Sequence, residues 1–519
     1  MDSPSPQLIS QALQRRLINR LKTQSDDAVF RYLADSIYLE QRRFDRSDIP
    51  PPDAYKRILK RANRAIRKER SVMIESLVKL VDYYAREIHN PFSERTYAIT
   101  SKVLPGMLTR LLTAAQPSQL LGNDFDPASR IVVQGPTEHL KQLSANHTLV
   151  YTPTHLSNLD SPIIGYALVA AGLKPVVYGA GLNLFSNPLM EFFMRRLGAY
   201  TVDRRKQNQL YKDSLKDYST HAIKTGFHSL FYPGGTRSRN GAIEQKLKKG
   251  LLGTAMSAWQ ESLQEGRPRE VVIVPCTLSF SLTLEAETLI DDALAEAGKS
   301  RYIITDDELS ETRTVAHFAR RVLNLDASVY VRFGHPLDVV GNPVNKEGHS
   351  LDPNGAVVDR REYICNRDGE VTPDTQRDQQ YTIRLSNAIT QAYQSDCIAL
   401  NTHVAALAAW RILQHRYPLL DDIQRASLRK EDRRIKRAEL VQSIDRIQQH
   451  LRQKEQLGQV HLAISNTATA ILEDSVIRFA SFHRQKAISI QGSNVDVSPK
   501  LILYYANRLR HISFPEALK

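Results

Sequence analysis

Apolar residues recur every three or four positions through the first part of the chain, which is the spacing of an amphipathic helix. The pattern is clear at positions 7–22 (QLISQALQRRLINRLK) and again at 71–88 (SVMIESLVKLVDYYAREI). A third stretch of this kind, 56–70 (KRILKRANRAIRKER), lies between them. The pattern therefore predicts a helical N-terminal domain, to which we assign residues 1–125.

Beyond residue 126 the pattern changes to short runs rich in β-branched and aromatic residues, with helical segments between them. Such runs predict strands, and strands that alternate with helices predict an α/β domain. We assign residues 126–395 to this domain and expect a mostly parallel central sheet flanked by helices. The expected strands are 130–134, 147–152, 175–179, 227–232, 271–274 and 329–333.

The pattern becomes helical again after residue 396. A charged stretch at 428–456 carries both signs, which is typical of solvent-exposed helices, while Val441, Ile444 and Ile447 form a stripe that can pack. Residues 396–519 are therefore expected to form a helical C-terminal domain. The predicted fold class is α/β, with helical N-terminal and C-terminal domains.

The longest apolar stretch, 162–185, is divided near its middle by Lys174 and Pro175. A membrane-spanning helix needs about 20 predominantly apolar residues. We therefore interpret the stretch as a buried helix, 162–171, followed by a buried strand, 175–179. The first residues, MDSPSPQLISQALQRR, lack the apolar core of a signal peptide, so neither export nor a transmembrane helix is expected.

Composition adds two constraints. Of the 519 residues, 42% are hydrophobic and 24% are charged, as in ordinary soluble proteins, but the formal net charge is +14. This surplus favours an anionic partner, such as nucleic acid, an acidic membrane surface or a phosphorylated substrate. The three cysteines, Cys276, Cys365 and Cys397, have no paired spacing, which argues against disulfides and zinc and favours a reducing compartment.

Six basic residues fall on one face of the predicted helix at 56–70. Two explanations account for such a face: simple solvation, or attraction to anionic lipid head groups, which is worth about 1 kcal/mol per basic residue near the surface. Nucleic acid fits less well, because no zinc finger, homeodomain or RNA-binding aromatic signature accompanies the charge. The residues are Arg57, Lys60, Arg61, Arg64, Arg67 and Lys68.

The stretch 151–160 (YTPTHLSNLD) places His155 just after a predicted strand and Asp160 at the start of the next helix. In open α/β sheets chemistry collects at that end of the strands, and the loop can return the two side chains to hydrogen-bonding range. A helix-capping Asp160 beside an unused histidine explains the pair as well. Metal binding is disfavoured because no further ligand stands at suitable spacing, and Ser157 lacks the elbow motif of a nucleophilic serine.

A second candidate motif, FYPGGTRSRNG at 231–241, follows the predicted strand 227–232. Paired glycines let the backbone approach an anion closely, and Gly235 is placed for this. Arg237 and Arg239 add guanidinium groups, whose planar donors suit phosphate. The spacing differs from that of the nucleotide P-loop, and a surface turn made soluble by its arginines is the alternative.

Between these motifs, the stretch 192–205 (FFMRRLGAYTVDRR) indicates a close backbone approach at Gly198 and places Arg204 after a short extended run. By itself it indicates no more than a helix that ends at Gly198. Together, the three stretches place one histidine, one aspartate and several arginines on loops of one α/β domain. The combination predicts a site that deprotonates a substrate carrying a phosphate group.

In this order the three motifs, followed by a strand ending in Pro275, resemble the four-block signature of the glycerolipid acyltransferases, which act on glycerol 3-phosphate, lysophosphatidate or dihydroxyacetone phosphate. The resemblance covers roughly residues 130–340. The tail 501–514 (LILYYANRLRHISF) and the Asn-Thr pair at 401–402 are similar to segments of the membrane-associated glycerol-3-phosphate acyltransferase branch. Gly234 departs from the glutamate that many lysophosphatidate enzymes carry there, which puts lysophosphatidate as acceptor in doubt.

The resemblance implies a glycerol-3-phosphate O-acyltransferase of phospholipid biosynthesis. Such an enzyme moves a fatty acyl group from acyl-CoA or acyl carrier protein to the 1-hydroxyl of glycerol 3-phosphate and gives lysophosphatidate; no cofactor or metal is expected. The resemblance further implies His155 as the general base and Asp160 as its orienting partner. The implied phosphate-binding residues are Arg204, Gly235, Arg237 and Arg239.

Together with the net charge, this function implies a peripheral protein on the cytoplasmic side of an anionic membrane surface, with no nucleic acid partner. Two alternative functions remain open: a lysophosphatidate acyltransferase, and a basic lipid-binding protein with a degenerate acyltransferase domain. The second is less consistent with the sequence, because the histidine, the aspartate and both arginines of the second motif are present. The apolar stretches 163–168 and 176–185 are candidates for an acyl groove or for plain core.

Overall fold

The structure is a computed structural model that describes residues 5–46, 50–102, 130–182, 191, 195–298 and 328–515. Its N-terminal part is helical, as the sequence predicts. The side chains of Ser5 and Ser25 cap the first two helices by accepting the backbone N–H groups of Leu8 and Ala28. The helices are α1 (Pro6–Lys22), α2 (Asp26–Asp45), α3 (Asp53–Ala65) and α4 (Arg70–Ile88).

The apolar faces of these helices form one hydrophobic cluster that extends into the α/β domain. Leu13, Leu17 and Leu80 of the helices are fully buried in it, and so are Tyr200 and Tyr211, which belong to the α/β domain. The N-terminal helices therefore share part of their core with the domain that carries the predicted site.

A seven-stranded sheet forms the centre of the α/β domain. Its strands are β1 (Ile131–Gln134), β2 (Thr148–Pro153), β3 (Val177–Gly181), β4 (Ala199–Val202), β5 (Ser229–Leu230), β6 (Val271–Phe280) and β7 (Val329–Phe333). Their order is β1-β7-β6-β2-β5-β3-β4, and every neighbouring pair is parallel except β6 and β7. The predicted mostly parallel sheet is confirmed.

All six predicted strands are present; 329–333 has the predicted ends, and the other five have shifted ends. β6 continues through Pro275 because it pairs with β2 on one side and with β7 on the other. β4, expected only as a short extended run, is one of the two edge strands of the sheet. Gly198 precedes it with a φ of 90°, and a Cβ there would lie 2.6 Å from the Val176 carbonyl oxygen, so the predicted close approach is confirmed.

The strands β2 to β6 are parallel, so their carboxyl ends all lie at the same end of the sheet. The loops after β2, β4 and β5 carry the three predicted motifs. Loops at this end of an open α/β sheet are where ligands bind. The fold therefore brings the three motifs to one side of the domain.

Helices flank this sheet. They are α5 (Thr137–Asn146), α6 (Asp160–Ala170), α7 (Gln209–Lys224), α8 (Lys249–Gln264), α9 (Ala286–Gly298) and α10 (Thr375–Ser395), and a short hairpin of β8 (Ser350–Leu351) and β9 (Val357–Val358) precedes α10. The predicted buried helix is α6, in which Ile163, Ile164 and Ala167 are fully buried, so this half of the proposed acyl groove is core. In the described part of the chain, no helix combines the length and the apolar character needed to cross a membrane.

The C-terminal part is mainly helical, as predicted, and adds two small sheets that were not predicted. Their strands have three or four residues, too few for an alternating pattern to be recognised. The helices are α11 (Asn401–Arg416), α12 (Asp422–Ala426), α13 (Arg437–Gln456), α14 (Ala468–Ala480) and α15 (Pro499–Ala506). The strands are β10 (Ile398–Leu400), β11 (Arg434–Lys436), β12 (His461–Ala463), β13 (Ile488–Gln491) and β14 (Asn494–Val497).

This C-terminal part packs against the sheet. Trp410, Leu501 and Ile502 belong to the same buried cluster as Val272 and Leu278 of β6. The assigned domain boundaries stay predictions, and the first of them, at position 125, lies outside the described residues. Of the second candidate stretch for the acyl groove, 176–185, residues 176–182 are described and are half-buried apart from the buried Ala180, and the rest lies outside the described residues.

Candidate active site

His155 lies in the loop between β2 and α6, and Asp160 is the first residue of α6. The distance between His155 Nδ1 and Asp160 Oδ2 is 2.7 Å. Asp160 is fully buried, whereas 19% of the His155 side chain is exposed. The loop therefore bends back as the spacing predicts, with the carboxylate in the core and the imidazole partly open to solvent.

Asp160 also closes the loop that carries His155. Its Oδ2 accepts the backbone N–H groups of Leu156 at 2.6 Å and of Ser157 at 2.9 Å. An ionised carboxylate accepts hydrogen bonds and donates none, so Nδ1 carries the proton in the His155–Asp160 contact. Nε2 is then the ring nitrogen that remains to act as a base.

Tyr232, which follows β5, holds the His155 ring from one face. The two ring centroids are 4.3 Å apart, and their planes differ by 26°. The Tyr232 hydroxyl lies 3.0 Å from Ser161 Oγ in α6, and burial raises the pKa of Tyr232 well above its ordinary value. The ring of His155 is thus oriented by Asp160 at its edge and by a neutral tyrosine at its face.

The loop after β5 is hydrogen-bonded to both backbone groups of His155. The Ser238 N–H donates to the His155 carbonyl at 2.7 Å. The His155 N–H donates to Glu244 Oε1, also at 2.7 Å. These two bonds attach the glycine- and arginine-rich loop to the residue that carries the imidazole.

Glu285, just before α9, joins Arg237 to the His155 loop. Its Oε1 lies 3.6 Å from Arg237 Nη1 and accepts the Asn158 N–H at 2.9 Å, while its Oε2 accepts the Ser157 hydroxyl at 2.9 Å. Burial raises the pKa of Glu285 above its ordinary value, and the Asn158 N–H and the Arg237 guanidinium act in the opposite direction. One buried carboxylate therefore links the arginine to the histidine loop.

Arg239 and Gly235 each contact another part of the protein, and their role in phosphate binding stays a prediction. Arg239 Nη1 lies 2.6 Å from Glu296 Oε2 of α9. Gly235 has a φ of 80° and donates its N–H to the Tyr232 carbonyl at 3.0 Å, so this N–H closes a turn. A Cβ on Gly235 would lie 2.6 Å from Lys248 Nζ. The absence of a side chain at Gly235 therefore lets the Lys248 ammonium group lie close to the backbone of the loop.

Arg204 follows β4 at the same end of the sheet, and its side chain is exposed. Three strand spacings of about 4.8 Å separate β4 from β2, which amounts to about 14 Å. The neighbouring residues anchor its loop, since Arg205 pairs with Asp203 at 2.9 Å and the buried Lys206 pairs with Glu87 of α4. Arg204 as a phosphate ligand stays a prediction.

A surface pocket beside the arginine-rich loop has more cations than anions in its wall. Its charged lining residues are Arg237, Arg239, Lys246 and Arg510, with Glu244 and Glu296. Across the residues that the structure describes, no group of three His, Cys, Asp or Glu side chains could hold a metal ion. The pocket therefore suits a phosphate better than a cation.

Four residues of this arrangement were not assigned a role from the sequence: Tyr232, Glu244, Lys248 and Glu285. Glu285 could have been recognised from the sequence, because it is an acidic residue at the end of the long, mainly apolar run 271–284. Glu244 and Lys248 lie in a polar stretch with no periodicity, so nothing in the pattern distinguishes them from surface residues.

Comparisons with known proteins agree with the motifs. Residues 130–279 match the family model described as Acyltransferase. Over 210 residues the chain is 30% identical to a glycerol-3-phosphate acyltransferase of Haemophilus ducreyi, and the match covers 40% of this chain and 24% of the relative. Glycerol-3-phosphate acyltransferases of Pasteurella multocida and Actinobacillus pleuropneumoniae are 28% and 24% identical over 45% and 52% of this chain.

The similarity to glycerolipid acyltransferases that the motifs predict is thereby confirmed. The matching segments span only 24%, 27% and 29% of these three relatives.

Proposed function

We propose, on the premise that residues 130–279 form a domain of the acyltransferase family, that the protein is a glycerol-3-phosphate O-acyltransferase. It takes a fatty acyl group from acyl-CoA or acyl carrier protein and transfers it to the 1-hydroxyl of glycerol 3-phosphate, which gives lysophosphatidate. The observation that carries the proposal is the attachment of the arginine-rich loop to both backbone groups of His155. A base for a hydroxyl and cations for a phosphate are then carried by two loops that are hydrogen-bonded to each other.

In this reaction His155 Nε2 removes the proton from the acceptor hydroxyl as the oxygen attacks the thioester carbonyl. A C–O bond forms, the C–S bond breaks, and the proton on His155 passes to the departing thiolate. Asp160 stabilises the imidazolium between the two proton transfers. The acceptor hydroxyl is itself the nucleophile, so no covalent acyl-enzyme is needed.

Arg237 is the central phosphate ligand in this proposal, because Glu285 ties it to the His155 loop. Arg239 and Lys248 add charge on the same loop, and Arg204 adds charge at a greater distance. Guanidinium groups bind phosphate through two parallel N–H donors, which gives orientation as well as attraction.

Arg237→Lys is expected to raise KM for glycerol 3-phosphate by about 10-fold or more, because lysine keeps the charge and loses the paired donors; a charged hydrogen bond is worth about 1.5–3 kcal/mol. kcat should change less, since the His155–Asp160 pair is untouched. Steady-state kinetics with both substrates varied measure the two effects. Arg267→Lys, at an exposed position outside the loop, should behave as wild type. An unchanged acceptor KM in Arg237→Lys would remove this arginine from the phosphate site.

A peripheral position on an anionic membrane surface is also part of the proposal, since the product is a lipid. Of the six basic residues predicted on one helix face, Arg57, Lys60, Arg61 and Arg64 lie on α3, whereas Arg67 and Lys68 follow its end at Ala65, so the predicted helix is shorter than expected. All six are exposed, and Leu59 and Ala62 on the other face of α3 are buried. A groove between α3 and α4 continues the charge; its charged lining residues are Arg61, Arg64, Lys68 and Lys79, with Glu75 and Asp82.

Replacing Lys60, Arg61 and Arg64 together by glutamine is expected to weaken partition to anionic vesicles roughly 100-fold at low salt, at about 1 kcal/mol per charge. Vesicle flotation with phosphatidylglycerol-rich and pure phosphatidylcholine vesicles measures the effect. Replacing Arg429, Lys430 and Arg446, which are exposed in the C-terminal part, is the matched control and should change nothing. Equal losses in both triple variants would mean that only net charge matters.

Glycerol 3-phosphate, dihydroxyacetone phosphate and lysophosphatidate, offered in parallel with palmitoyl-CoA, test the acceptor. Preference for glycerol 3-phosphate supports the proposal. Preference for lysophosphatidate would assign the second acylation step instead, and lipid binding without turnover would favour the binding protein.

A further inference from the structure

Glu244 occupies the space into which a side chain at position 234 would project. A Cβ built on Gly234 would lie 3.0 Å from Glu244 Cγ and 3.3 Å from Glu244 Oε1. The glycine therefore makes room for a carboxylate that is supplied from further along the same loop. This carboxylate takes no part in the proton transfers of the proposed reaction.

The contacts of Glu244 are with groups that hold the site. Its Oε1 accepts the His155 N–H at 2.7 Å, and its Oε2 is buried without a hydrogen-bond partner among the described residues. Arg508 is also buried and donates to the Leu278 carbonyl. Burial raises the pKa of Glu244 above its ordinary value, while the His155 N–H and the Arg508 guanidinium act in the opposite direction.

The segment that carries Arg508 also contacts the loop directly. Asn507 Nδ2 donates to the Asn240 carbonyl at 3.0 Å. Gly241 has a φ of 77°, and a Cβ there would lie 2.2 Å from the Tyr504 carbonyl oxygen, so no other residue fits without a backbone shift. Residues 504–508, called here the C-terminal segment, therefore pack tightly against the arginine-rich loop.

We infer that Glu244 is a positioning residue for His155, backed by the C-terminal segment. The inference deepens the proposed acyl transfer and rests on it. Glu244 holds the peptide before His155, and the Ser238 N–H holds the peptide after it. The ring can then turn only about its side-chain bonds, which Asp160 and Tyr232 restrain. Such restraint matters because a displacement of about 1 Å in a catalytic group can cost about 10² in rate.

Glu244→Ala is expected to lower kcat by about 10- to 100-fold. KM for glycerol 3-phosphate should not rise, because no cation of the phosphate site is removed. Glu244→Gln keeps an oxygen acceptor for the His155 N–H, so its kcat should stay within about fivefold of wild type. Glu347→Ala, at an exposed position of the α/β domain, is the matched control and should behave as wild type.

Hydrogen exchange at the His155 amide, followed by mass spectrometry of short peptides, tests the contact without any substrate. The amide should exchange slowly in the wild-type and Glu244→Gln proteins and faster in Glu244→Ala. If the wild-type protein shows this protection but transfers no acyl group, the proposed function fails while the contact stands. The two failures are therefore distinguishable.

Gly234→Ala provides a second way to disturb Glu244 should the alanine variant at 244 fail to fold. Its methyl group would press on Glu244 Cγ at 3.0 Å, and kcat should fall while KM for glycerol 3-phosphate is kept. Wild-type kcat in Glu244→Ala would overturn the inference, and so would a folded Glu244→Gln protein as inactive as the alanine variant. Fast exchange of the His155 amide in the wild-type protein would overturn the contact itself.

Discussion

His155→Ala should lower kcat by about 10²- to 10⁴-fold, which is the contribution of a positioned general base. The loss should be confined to turnover. Arg237, the proposed phosphate ligand, contacts Glu285 and not the imidazole, so KM for glycerol 3-phosphate should change little. Partition to anionic vesicles should also be kept, because the basic face lies on the N-terminal helices.

His335→Ala is the matched control for this prediction. His335 is exposed and follows β7, which lies two positions from β2 in the strand order. Its kcat should equal that of the wild-type protein. Turnover that survives in His155→Ala, or that is lost equally in His335→Ala, would contradict the assignment of the base.

Asp160→Asn is expected to lower kcat by about 10²- to 10⁴-fold while the loop keeps its fold. All three donors to Asp160 use Oδ2, so an asparagine with its carbonyl oxygen at that place keeps the three hydrogen bonds. The variant loses the negative charge that stabilises the imidazolium during proton transfer. Steady-state kinetics together with the melting temperature measure the two properties separately.

Asp160→Ala removes the hydrogen-bond acceptor as well as the charge, so comparing it with Asp160→Asn separates the two effects. It leaves the N–H groups of Leu156 and Ser157 without an acceptor, and each unpaired buried donor costs about 1–3 kcal/mol. This variant should therefore melt at a lower temperature than Asp160→Asn and be at least as inactive. Wild-type kcat in the asparagine variant would mean that Asp160 acts only by shaping the loop.

The part of the site that could be predicted from the sequence is the part encoded by neighbouring residues. His155 and Asp160 belong to one strand, loop and helix, so their contact follows from local structure. The same holds for the turn at Gly235 and the arginines after it. Local patterns also gave the strands of the sheet, because short apolar runs between turn residues are a local property.

The residues that join these pieces could not be predicted, because their roles depend on tertiary contacts. Glu244 is 89 positions from the residue whose N–H it accepts, and Glu285 is 128 positions from Ser157. A carboxylate in a polar stretch has the same local pattern whether it is solvated or holds a backbone N–H. Only the return of the chain to the same end of the sheet distinguishes the two.

The order of the strands could not be predicted from the sequence for the same reason, because it too depends on tertiary contacts. The sequence indicates that Arg204 follows an extended segment, but not that this segment pairs only with β3 and becomes an edge strand. That pairing places β4 three strands from β2, or about 14 Å across the sheet, since each strand adds about 4.8 Å. Of the predicted phosphate ligands, Arg237 is therefore the one that the fold ties to the His155 loop through a buried carboxylate.

The most direct test of the central claim is acyl transfer to radiolabelled glycerol 3-phosphate by the purified protein in the presence of anionic vesicles. Palmitoyl-CoA is offered first and palmitoyl acyl carrier protein second, with His155→Ala measured beside the wild-type protein. Labelled lysophosphatidate from the wild-type protein with at least one donor, and its loss in the variant, is the predicted result. No labelled product with either donor, or an equal rate from His155→Ala, would contradict the claim.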